Sequence, residues 1–170
     1  MPSVLNLVER FNRWRHSRGF GIHSPFAFRF VTEVLCLPKE YGYYAYLDIT
    51  EPDMRTLFRV ATRFQPQKVA FIDCDTKAVR NAVFMAAPKA KPSAIFEADF
   101  IVFNAKKNRK LPYDAIPSTA NLVILNYTRW KDYQLYRESL AAGMIFANRK
   151  SMAIAATYAY LPRQDFNVKF

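Results

Sequence analysis

Glycine is scarce in this chain: four in 170 residues. Loops that cradle phosphates or nucleotides bring their backbone close to the ligand, and glycine reaches those conformations at least cost. So few glycines leave little room for such loops. Cysteine is scarcer still. Cys36 and Cys74 each fall inside an apolar run, which points to buried free thiols rather than a disulfide. No apolar stretch approaches the roughly 20 residues of a membrane span, and the N-terminus lacks the continuous apolar core of a signal peptide. The expectation is a cytoplasmic protein with no membrane partner. CxxC, HExxH, Walker-loop and nucleophile-elbow patterns are also missing. His16-Ser17 and His23-Ser24 are adjacent pairs with no aspartate placed to orient either histidine. No catalytic residue and no metal ligand is assigned.

What is present is apolar, aromatic and basic. Hydrophobic residues make up 51 %, with 15 Phe and 10 Tyr, which excludes the disordered class. The length suits one domain with a real core. Lys and Arg number 25 against 14 acidic residues, a net charge of +11. Residues 66–170 hold 16 of the cations, so the excess is not a basic tail. Such a balance admits an acidic protein or a nucleic acid as partner; a solvated basic surface is the plainer reading.

Apolar spacing organises the chain. Val4, Leu7, Val8, Phe11 and Trp14 predict a first helix, capped by Ser3 and ended by Gly19, with Arg10, Arg13, Arg15 and Arg18 mostly off that stripe. Ser24-Pro25 is a strong helix start, and Phe26, Phe30, Val31, Val34 and Leu35 form its apolar face. His23 reads as structural. The tyrosine-rich connection over 38–49 is expected to pack over the core edge. Thr50 and Asp53 suggest a capping box for a third helix with core residues Met54, Leu57, Phe58, Ala61 and Phe64. Arg55, Arg59 and Arg63 repeat along it as a basic stripe.

From residue 68 the period changes. Lys68–Asp73 reads as a buried parallel strand, followed by a helix capped at Asp75 or Thr76 and stopped by Pro88. Further strands are expected within 93–103 and at 122–126, 144–148, 152–158 and 166–170, with an amphipathic helix over 129–142. This alternation predicts an α/β fold: a reduced, Rossmann-like, mostly parallel sheet with an antiparallel edge. An N-terminal helical segment, 1–65, would pack on the α/β part, 66–170, as one globular unit.

The run Gly21-Ile22-His23-Ser24-Pro25-Phe26, with the helix that follows to Leu35, resembles the N-terminal signature of a group of bacterial class I S-adenosylmethionine (SAM) methyltransferases. The ending Asp165–Phe170 is similar to the end of that family. The resemblance implies a methyltransferase fold, shortened, and three landmarks for the cofactor. The first is an acidic residue at the end of the first strand, followed by a glycine-rich turn. Asp73 is in place, but Cys74-Asp75-Thr76-Lys77-Ala78 contains no glycine. The second is an acidic residue ending the next strand, for which Glu97 is the candidate. The third is a late strand ending in carboxylates, used by some relatives in the wider O-methyltransferase group to hold a divalent metal. Here Asn126 and Tyr127 stand in their place, and Arg129 precedes Trp130 where the family has His, a poor setting for a hard cation.

The expectation is therefore a methyltransferase-like protein that has lost SAM turnover, has no cofactor, and serves in binding or assembly. One alternative is an active SAM-dependent enzyme with Asp73, Asp75 and Glu97 holding the cofactor. The other is a basic nucleic-acid-binding module using the arginine stripe, the tyrosines and the basic loop at 106–110. A homo-oligomer is also expected, since a shortened sheet leaves edges and apolar faces to cover.

Overall fold

In the computed structural model, residues 4–37, 42–105, 113–126, 136–138, 140, 142–148 and 151–170 are described. The apolar runs of the second half become strands because they are covered on both faces. β1 is Lys68–Ile72, β2 Lys91–Pro92, β3 Phe100–Asn104, β4 Asn121–Leu125, β5 Met144–Ala147, β6 Met152–Ala156 and β7 Gln164–Asn167. β4, β5 and β6 are buried throughout. They join one seven-stranded sheet in the order β2-β1-β3-β4-β6-β5-β7. Neighbours run parallel except around β6, which runs against both β4 and β5. The α/β class and the mostly parallel sheet are as expected. The antiparallel pairing lies on the side formed by the closing strands.

Helix α1 spans Val4–Ser17, α2 Pro25–Arg29, α3 Pro52–Phe64 and α4 Lys77–Ala86. The Ser24 hydroxyl accepts from the Ala27 N–H at 3.3 Å and Pro25 takes the first helical position, so the start read from the sequence is the start observed. α2 continues as a π-helix, Phe30–Leu35, in which the Cys36 N–H donates to the Val31 carbonyl at 2.8 Å. The capping box expected at Thr50 does not form. Glu51 occupies the cap without a side-chain bond, because Pro52 fits the first helical position and sets the start there. At α4 the cap is Thr76, accepting from the Val79 N–H.

Alternation along the strands divides the core in two. Phe100 and Val102 join the buried faces of α2, α3 and α4 on one side; Ile101 and Phe103 join Leu122, Ile124, Tyr136 and Leu140 on the other. Phe30 ties the N-terminal segment to the sheet, with ring centroids 4.8 Å from Phe146 and 5.5 Å from Phe64. Its complete burial contributes about 2–3 kcal/mol. Residues from 1–65 and 66–170 thus share a single apolar cluster.

Two parts of the sequence reading change here. Val8, Phe11 and Trp14, the stripe of α1, are about half exposed. The Arg55/Arg59 stripe is turned to internal use. Arg59 donates to the carbonyls of Val34 at 2.6 Å and Leu35 at 3.2 Å, which are orphan acceptors at a helix end. Arg55 donates to the Ile49 carbonyl and lies over the ring of Tyr44. Of the described tyrosines in the 38–49 connection, Tyr44 is buried and Tyr46 is almost fully exposed.

Candidate functional site

From β1 the chain passes through α4 to β2 on one side, then crosses to β3 on the other. The change of direction between β1 and β3 is a topological switch point, and ligands of open α/β sheets bind outside the carboxyl ends of the strands at such points. Asp73 follows β1 at this position, half-buried, with φ +56°. Asp tolerates this left-handed region better than most residues, so the chain turns sharply here without glycine. The Thr76 N–H closes the turn onto the Cys74 carbonyl at 2.7 Å. The Cys74 side chain points inward. It is buried, and its Sγ donates to the Val102 carbonyl at 3.0 Å.

The other two sequence candidates are not brought to Asp73 as free ligands. Asp75 is exposed, and both of its carboxylate oxygens face Arg80, with Nη2 at 2.8 Å from Oδ2. Arg80 holds the Asp75 carboxyl below its usual range. Glu97 ends a 3₁₀ turn, Ile95–Glu97, and pairs with Lys68 Nζ at 3.1 Å. Lys68 opens β1 and Asp73 follows its end. At about 3.3 Å per strand residue the two lie roughly 16 Å apart, so Glu97 sits by the opposite edge of the sheet. The short β2 explains this: after two residues the chain turns back toward the amino end of β3.

Sequence reasoning missed Asn104. The register pairs Ile72 with Phe103 and Asn104 with Leu125, which sets Asp73 opposite Asn104 and Asn126 one residue beyond that row, at three adjacent strand ends. Asn126 also has a left-handed backbone, φ +55°, and its Nδ2 donates to Asn104 Oδ1 at 2.9 Å. A polar residue ending an otherwise apolar strand was the available signal. Two carboxamides and a carboxylate can hold and orient a polar ligand. The carboxamides supply neither a nucleophile nor a general base.

Tyr127, Arg129, Trp130, the basic loop at 106–110 and most of the helix expected over 129–142 lie outside the described residues. Among the described residues, no group of three or more His, Cys, Asp or Glu could hold a metal ion, and no helix is long and apolar enough to cross a membrane. The chain matches no protein-family model and no curated protein.

Proposed function

We propose that this chain is a methyltransferase-like scaffold that no longer turns over SAM and acts through binding or assembly. One observation carries the reading: the inward Cys74 side chain, bonded to Val102 O in the turn after β1. In the family that turn is glycine-rich so that backbone can approach the cofactor. Here a buried side chain anchors it. The pairing of Asp75 with Arg80 and of Glu97 with Lys68 supports the same reading. The sheet order, with one strand reversed beside the last parallel ones, fits a shortened class I methyltransferase frame. Isothermal calorimetry with SAM tests it. The expected result is no binding at millimolar SAM; micromolar binding that Asp73→Ala abolishes defeats the proposal.

A second reading, an active enzyme with an altered pocket, draws on the presence of Asp73, Asn104 and Asn126 at neighbouring strand ends by the switch point. It requires SAM binding that depends on Asp73. The nucleic-acid reading rests on net charge and is weakened by the internal use of Arg55 and Arg59. A gel shift whose affinity falls steeply with salt would support it. A scaffold acting in assembly also calls for a second copy or an acidic partner. Light scattering of the purified protein tests the former.

A further inference from the structure

The two ends of the chain meet at a second site, away from the switch point. Ser17, at the end of α1, accepts from the Lys169 N–H at 2.9 Å, and its hydroxyl lies 2.9 Å from the Lys169 carbonyl and 2.7 Å from the Arg13 carbonyl. His16 Nδ1 lies 3.3 Å from the Asn167 carbonyl. These contacts fix α1 against the segment after β7. Between them lies a cavity of about 540 Å³ lined by Arg10, Arg13, Trp14 and Lys169.

Among the described residues the lining carries three cations, and no carboxylate pairs with any of them. Arg13 is the most constrained. Its Nη2 reaches Asn148 Oδ1 at 3.4 Å, while its Nε is buried with no hydrogen-bond partner. A buried donor left unsatisfied costs about 1–3 kcal/mol, and three like charges around one space repel each other. An oxyanion in the cavity offsets that repulsion. Guanidinium groups match phosphate oxygens in geometry as well as charge. Trp14 adds an aromatic wall, held by Arg18 at 4.5 Å from its ring centroid and stacked on Phe11 at 5.8 Å. The volume is in the range of small-molecule pockets, about 300–1,000 Å³, and exceeds what a single phosphate needs.

We infer that this cavity binds a small organic diphosphate, with Arg10, Arg13 and Lys169 on the phosphoryl oxygens and Trp14 against the organic part. The inference is independent of whether SAM binds beside Asp73. Calorimetry on the full chain with ADP, pyrophosphate and adenosine tests it. ADP is expected to bind with a Kd of about 100 µM or tighter and pyrophosphate more weakly, with adenosine at least about tenfold weaker than ADP. Arg13→Ala and Lys169→Ala should each weaken ADP binding about tenfold. Arg10→Ala, on an exposed helical position, gives the same loss in a variant with little reason to misfold; circular dichroism checks all three. Absence of ADP and pyrophosphate binding overturns the inference. So does ADP binding that is unchanged in Arg10→Ala and Lys169→Ala. Retention of a single-stranded oligonucleotide in gel shifts, with no binding of either small phosphate, also overturns it and assigns the surface to nucleic acid.

Discussion

The Cys74 thiol donates to the Val102 carbonyl at 3.0 Å, from the turn that follows β1 to the middle of β3. The bond pins the loop at the switch point to the neighbouring strand. Cys74→Ala should cost about 1–2 kcal/mol, through a weak hydrogen bond lost and a small void opened. Cys74→Gly should cost about 0.5–1 kcal/mol more, through backbone entropy. Urea unfolding of the three proteins measures both steps. A glycine variant as stable as the parent would show that the thiol does not hold the turn.

Cys36 makes stability depend on alkaline pH. Burial pushes its thiol up to about 11 from 9.0, against smaller opposing effects of Ser17 and Arg59. A raised thiol pKa means that the folded chain keeps a proton the unfolded chain releases. Its contribution is therefore fully present below 9.0 and is lost as pH rises toward 11. Cys36→Ala should flatten the fall in melting temperature across that window. Melting curves at successive pH values check the slope.

Arg59 should matter more to folding than to any polyanion. It donates to the Val34 and Leu35 carbonyls and to Thr56 Oγ1, closing the end of the π-helix. Arg59→Ala should destabilise by about 3 kcal/mol, because buried carbonyls lose charged donors. Arg59→Lys keeps the charge, loses the fork, and should recover less than half of that. Chemical denaturation separates the two variants.

Gly143 allows the close approach of β5 to β6. Its φ is +118°, and a Cβ there would lie 2.6 Å from the Ala156 carbonyl oxygen and 3.1 Å from the Thr157 Cα. Gly143→Ala should cost about 3 kcal/mol or more, a melting temperature lowered by roughly 6–12 °C for a chain of this size. Differential scanning calorimetry checks it. Gly42, where an added Cβ would meet nothing within 4 Å, should accept alanine with little change.

Local rules carried the elements whose start or period is written in consecutive residues. Ser24-Pro25 set a helix start, and Thr76 was one of two caps read for α4. The unbroken apolar runs at Val69, Ile101 and Leu122 gave parallel strands. The candidate site was legible only at Asp73. Glu97 followed a strand too short to carry it to the same edge, and its pairing with Lys68 spans 29 positions. Asn104 gained meaning only from the register that sets it beside Asn126. The exposure of Val8, Phe11 and Trp14 was equally out of reach, since periodicity shows that a helix has an apolar face but not whether anything covers it.

The α/β class, the order of strands and helices and the lack of glycine after β1 are written in the chain itself, because propensity, capping and burial pattern act over a few residues. Packing settles the rest. Cys74 fills that turn, Asp73, Asn104 and Asn126 share an edge from which Glu97 is excluded, and Arg10, Arg13, Trp14 and Lys169 surround one cavity. Strand order and register bring together residues far apart in the chain, and no local preference encodes that juxtaposition.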